Sequence, residues 1–277
     1  MGLSCGLSRL LCGLGLLFSC ACGPLSQSQW LAKYARDIVN ATQSIETARN
    51  DGERARGYAE RGRGYSETAR YSRSFKLIDA SEYGRLFGLA MSDHDRAVEF
   101  APADAQVFLS RGLTRYDRAA LEDRAAPETK ALLSSAEADF TRAIENEPRS
   151  ARALDMRGLV RTMSGDLDGA VADFTRELAI DSRRGRLRLA EAHCTRGSSH
   201  QQAKRYDLAI ADYEMAIELG IPRDGCDCQP ESPLAWIYFE RRQYDKCWEV
   251  VRAARESKRW IAPELVEQLQ KASGRNQ

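Results

Sequence analysis

His193 and Cys194 are adjacent, His200 follows seven residues later, and Cys226-Asp227-Cys228 stands further along the chain. Seven residues are close to two helical turns, so the two imidazoles share a helical face. Imidazoles and thiolates together are the donor set of a zinc site. In an oxidising compartment the same cysteines would instead form disulfides. Which chemistry holds depends on the elements that carry these residues. Other chemistry is poorly provided for. The chain has no H-E-x-x-H, no G-x-S-x-G, no Walker loop, and no G-x-G-x-x-G set between a strand and a helix. With three histidines and no paired acid motif, general acid/base work has few candidates. No catalytic residue and no cofactor is expected.

The N-terminus carries a different signal. Arg9 precedes an apolar stretch from Leu10 to Phe18, followed by the small residues Ser19, Cys20, Ala21 and Cys22. Charged, apolar, then small is the order of a secretory leader, and the stretch is too short to span a bilayer. Leu17-Phe18-Ser19-Cys20 resembles a bacterial lipobox, which makes Cys20 a lipidation site after cleavage before it; Phe18 is unusual there. Ordinary cleavage after Ala21 is the alternative, so residues 1–21 read as a signal peptide either way. The expectation is export to the bacterial periplasm or outer membrane as a lipid-anchored protein, or secretion in soluble form. Of the 41 basic side chains Arg9 lies in the leader, and 40 acidic ones oppose the rest, so the mature chain is formally neutral. Nucleic-acid binding, which needs a basic surplus to release counterions, is not expected.

A recurring pair organises the remainder: Arg61-Gly62, Arg111-Gly112, Arg157-Gly158 and Arg196-Gly197. In the clearest unit Leu154 and Gly158 lie in one helical segment, Gly165-Asp166 marks a turn, and Ala170, Phe174 and Leu178 follow. Apolar and small residues spaced by four occupy one helical face, and a glycine suits the point where two helices approach closely. The pattern resembles the tetratricopeptide repeat (TPR) consensus. The Gly197 unit adds His193, His200, Ala209, Tyr213 and Ala216; the Gly112 unit adds Phe108, Ala136, Phe140 and Ala143. The Gly62 unit supplies Tyr58, Tyr65, Ala90 and Ala97, with His94 where an aromatic is usual, and a degenerate fifth unit offers Ala235, Tyr238, Cys247, Val251 and Ala254. Arg161 and Glu177 depart from the consensus.

What the resemblance implies is an all-α fold: a right-handed solenoid of about five TPR-like helix-turn-helix units over residues 55–256. An amphipathic N-terminal helix over 26–50 (Trp30, Leu31, Tyr34, Ile38, Ile45) and a C-terminal capping helix over 260–274 flank it. The Gly112–Phe140 and Gly62–His94 separations exceed that between Gly158 and Phe174, so the first two units carry longer helices or inserted loops. The run Arg183, Arg184, Arg186, Arg188 is read as preceding a first helix.

TPR arrays line a concave groove with their first helices and hold an extended peptide or a partner helix in it. By position the groove here comprises Arg56, Arg63, Gln106, Leu109, Leu113, Tyr116, Arg152, Asp155, Leu159, Met163 and Gln202. The Lys and Asn set that clamps a C-terminal carboxylate in chaperone-type members is absent. His193 and His200 fall on consensus aromatic positions, which assigns them to packing, so no metal is expected. Cys194 lies near the start of a first helix and Cys226 and Cys228 follow its antiparallel partner, which favours a disulfide from Cys194 to one of them. The function expected is an exported adaptor that binds a protein or peptide and is not an enzyme. A small-molecule-binding or transporter-accessory lipoprotein is the alternative.

Overall fold

The computed structural model describes residues 26–220 and 229–275. Cys20 and the leader, and Cys226 and Cys228, lie outside the described residues. Among those described there are twelve helices and no strand. We label them α1 (Gln27–Thr47), α2 (Asp51–Ser74), α3 (Ala80–Phe100), α4 (Ala105–Ala119), α5 (Pro127–Asn146) and α6 (Ala151–Ser164). Then come α7 (Leu167–Leu178), α8 (Ser182–Gln202), α9 (Tyr206–Leu219), α10 (Glu231–Glu240), α11 (Tyr244–Glu256) and α12 (Pro263–Ser273). The fold class is all-α, built of TPR-like hairpins. Two compact units divide at Pro148. The first holds α1 and the hairpins α2/α3 and α4/α5; the second holds α6/α7, α8/α9, α10/α11 and α12.

Local sequence sets where the helices begin and end. Asn50, Asp79, Asp104, Asp166 and Asp181 each accept a backbone N–H at a helix start, and Ser26 and Gln29 form a reciprocal capping box. Pro127 and Pro263 open α5 and α12, where a missing N–H costs nothing. Gly165 ends α6 in the left-handed conformation at φ 88°. The wide spacing in the first two hairpins resolves mainly into helix length: α2 has 24 residues and α3 has 21, against 14 in α6 and 12 in α7. The arginine run lies inside α8, not before it, because Asp181 caps that helix by accepting the N–H groups of Arg183 and Arg184.

Within each hairpin the glycine of the Arg-Gly pair faces the aromatic of the second helix. A Cβ on Gly158 would lie 2.6 Å from Phe174 Cε1, and one on Gly112 would lie 2.7 Å from Phe140 Cε1. Real Cβ atoms do not approach that closely, so the ring occupies the space the missing side chain leaves. Helix α1 seats Ile38 and Ile45 on Gly64 and Gly57 of α2 in the same manner. At the other end α12 buries Leu265 and Leu269 in one cluster with Trp248 of α11, and the Trp248 indole N–H donates to Ser273 Oγ at 3.1 Å.

Candidate functional site

The arginine before each packing glycine binds a buried aspartate on the second helix of its own hairpin. Arg61 makes two parallel bonds to Asp93, 2.7 and 2.8 Å long, and Arg157 binds Asp173 at 2.6 and 2.9 Å. Arg111 reaches Asp139 and Arg196 reaches Asp212, both at 2.7 Å. Each aspartate immediately precedes the aromatic or histidine that fills the glycine notch. All four are buried, so their charges require such partners. Arg115 and Arg161, one turn further along the first helix, bind the same Asp139 and Asp173. Arg161 therefore departs from the consensus aromatic because it joins an ion-pair cluster. The Arg-Gly recurrence was legible in the sequence. Its acidic counterpart, A-x2-D-[FYH], recurs in the second helices.

His193 and His200 both turn to Asp212. His193 Nδ1 lies 2.8 Å from Oδ1, and His200 Nε2 lies 3.7 Å from Oδ2. Burial alone would raise the Asp212 pKa, but hydrogen bonds from His193 and Arg196 hold it below the usual carboxylate range. With Arg196 already across that carboxylate, a metal ion there would meet a fixed positive charge. Among the described residues no group of three or more His, Cys, Asp or Glu is arranged to hold a metal. Cys194 is disulfide-bonded. Cys247 is a buried free thiol whose pKa burial pushes up to about 11.

The sequence-expected groove residues separate by unit. In the first unit Arg56, Arg63 and Gln106 are exposed and Leu113 and Tyr116 are half-buried. Leu109 is not a groove residue: it is 3% exposed, because α4 packs against α2, α3 and α5 together and little of its surface is left open. Arg63 lies over the seam with α1, in a cleft of about 260 Å³ shared with Asp37, Asn40 and Glu67.

In the second unit Arg152 is exposed and Leu159 and Met163 are half-buried. Leu159 and Gln202 meet in a groove of about 720 Å³ formed largely by the first helices α6 and α8. Its floor includes Leu159 and Phe174, and its walls present Thr162, Thr195, Ser198 and Gln202. Arg188 and Glu191 close one end, paired at 3.1 Å. Hydroxyl and amide side chains over an apolar floor can hydrogen-bond an extended main chain while its side chains bury apolar surface.

Asp155 does not line this groove. It is fully buried, because α8 brings Arg188 Nε to 3.0 Å and Arg184 Nη2 to 2.5 Å from its carboxylate. It orients Arg188 from beneath. Beside it stands Glu177, also fully buried, with Arg184 Nε 3.7 Å away and neither carboxylate oxygen in a hydrogen bond. Burial, then the charge of Asp155, pushes its pKa up to about 7 against the pull of Arg184 and Arg188. The departure at Glu177 noted in the sequence is thus an acid that titrates near neutrality. No helix of the described residues is long and apolar enough to cross a membrane.

Fold and groove together define an all-α, TPR-like protein with a hydrogen-bonding cleft between first helices. Among solved structures it is similar to a crystal structure of MamA, at TM-score 0.43 and 18% identity over 65% of this chain and 95% of that one. It is also similar to TTC0263, a thermophilic TPR protein in Thermus thermophilus, at TM-score 0.41 and 21% identity over 70% and 86%. Human IFIT1, in a dimer with PPP-AAAA, gives TM-score 0.38 and 14% identity over 85% and 70%. All three scores fall below 0.5. No protein family and no curated protein matches the sequence.

Proposed function

We propose that this chain is an exported adaptor, anchored by lipid at Cys20, that holds a protein or peptide partner in the cell envelope and catalyses no reaction. The observation that carries the reading is the groove between α6 and α8. Its open positions are hydroxyls and amides, and the ion pair of Arg188 with Glu191 sits at the end. Such a lining suits an extended segment read through its backbone. The order charged, apolar, small in the first 22 residues and the lipobox-like Leu17-Phe18-Ser19-Cys20 support export and anchoring. The formal neutrality of the mature chain argues against a nucleic-acid partner.

Two measurements test the two halves separately. The intact mass of the protein extracted from membranes reports cleavage and diacylation at Cys20; a soluble, unacylated product overturns the anchor. For the groove, Thr195→Trp and Ser198→Trp place indoles where a bound chain would lie. Capture of the partner from envelope extracts should fall at least about tenfold with melting temperature unchanged. Capture by both variants at the wild-type level would remove the groove from the account.

A further inference from the structure

The fifth hairpin, α10/α11, lacks the ion pair of the other four. Aligned on the small residue of the second helix (Ala170, Ala209, Cys247), Arg196-Gly197 corresponds to Leu234-Ala235 and Asp212-Tyr213 to Val250-Val251. Neither partner of the pair is present in this hairpin. The packing follows: Ala235 and Val251 are fully buried, an alanine now tolerated because valine is smaller than the ring. In the second and fourth hairpins the arginine has a second task, pairing with an aspartate of the preceding second helix. In the second hairpin Arg111 Nη1 also reaches back to Asp95 of the preceding second helix at 2.9 Å, and Asp95 directly follows His94. The residue that directly follows Tyr213 in α9 is Glu214. Leu234 cannot neutralise it.

A cavity of about 360 Å³ lies at that point, on the side of the second helices α9 and α11 and not in the groove of α6 and α8. Its walls carry Glu214, Glu218, Glu231 and Glu249, and Leu234 and Val250 lie on its floor with Ile217 and two alanines. Among the described residues no Lys, Arg or His lines it. Glu214 accepts the Tyr238 hydroxyl at 2.7 Å. Glu231 is 8% exposed; Arg259 Nε stands 3.6 Å from its Oε1, and its buried Oε2 receives no hydrogen bond. A buried carboxylate oxygen left unsatisfied is costly, so Glu231 adds to the uncompensated negative charge beside the cavity.

We infer that this cavity binds a small organic cation, an ammonium or guanidinium group on an apolar stem, at the place where the other hairpins carry their own arginine. The stem covers Leu234 and Val250 and the head group faces the glutamates. The volume lies at the small end of ligand pockets, matching a small molecule and not a helix. The site is independent of the proposed groove and of the anchor.

Calorimetric titration of the full chain with hexylamine and with agmatine, against hexan-1-ol as the neutral control, tests it. Saturable binding of both cations is expected, at least about tenfold tighter than the alcohol and weakening with added salt. Glu218→Gln and Glu249→Gln, both at exposed positions, should each lower cation affinity about tenfold. The double change Leu234→Arg with Val250→Asp restores the resident pair and should abolish binding. If that variant does not fold, the glutamate variants decide. Equal affinity for hexan-1-ol, unchanged affinity in both glutamate variants, or no saturable cation binding overturns the inference. An arginine-centred acetylated tripeptide that binds tighter than agmatine at this site would assign it to a peptide side chain and overturn the small-molecule class.

Discussion

At the residue scale the molecule is held by buried charges that have partners, and its pH response comes from those that have few. Asp173 is 1% exposed and receives Arg157 and Arg161. Asp173→Ala leaves both guanidiniums without their carboxylate and should cost about 3–5 kcal/mol in urea titration. Arg157→Leu with Asp173→Val, the solution already present at Leu234 and Val250, should recover most of that loss. If the double variant is as unstable as the single one, the pair holds something beyond its own charges. Glu177 and His94 pull in opposite directions. The Glu177 pKa is raised to about 7, so the native state holds a proton that the unfolded chain releases above about 4.5. Its contribution is therefore greatest at acidic pH and is lost as pH rises through 7. Glu177→Gln should remove that slope and stabilise the second unit at pH 8 by on the order of 2–3 kcal/mol. Burial, reinforced by Arg111, Arg115 and Arg63, lowers the His94 pKa to about 3. The unfolded chain binds its proton first, so stability falls as pH drops from about 6.5 towards 3. Melting curves of the wild type and Glu177→Gln between pH 4 and 8 separate the two.

At the element scale the recurring solution is a glycine notch filled by a ring, with helix ends fixed by side-chain caps and left-handed C-termini. Gly158→Ala pushes a methyl into Phe174 and should destabilise the α6/α7 hairpin by about 1–3 kcal/mol. Adding Phe174→Val, the pairing seen at Ala235 and Val251, should relieve the clash. Several helices end on a basic residue at positive φ: Lys76, Lys204, Arg242 and Lys258. After α8 the Arg205 N–H bonds back to the His200 carbonyl at 2.8 Å, which fixes Lys204 at φ 58°. Lys204→Gly should therefore raise stability by up to about 1 kcal/mol, and Lys204→Val should lower it, both read from thermal melts. Much of this level was legible in the sequence, because the Arg-Gly pairs, the spaced alanines and the caps are local patterns. The aspartates of the second helices were not read because a polar residue beside an aromatic looks like the solvent edge of an amphipathic helix. Leu109 and Asp155 were misplaced for a related reason. Counting from the glycine gives a face, but not which neighbouring helix covers it. For Asp155 the cover comes from Arg184 and Arg188, in the first helix of the next hairpin.

At the scale of the whole molecule a leader-like N-terminus precedes an all-α set of TPR-like hairpins in two compact units, and a groove in the second unit offers hydrogen bonds without a dominant charge. The neutral balance of acids and bases fits recognition through shape and backbone contacts better than long-range electrostatic steering. The central claim is that α6 and α8 hold a partner chain between them. Photo-crosslinking in the native host tests it most directly, with a benzophenone side chain at Thr195 in the groove and, as the control, at Ala172 on the exposed side of α7. A discrete adduct from Thr195 and none from Ala172, with the Thr195 adduct lost when Ser198→Trp fills the groove, is the predicted result. No adduct from Thr195, or the same adduct from both positions, would contradict it.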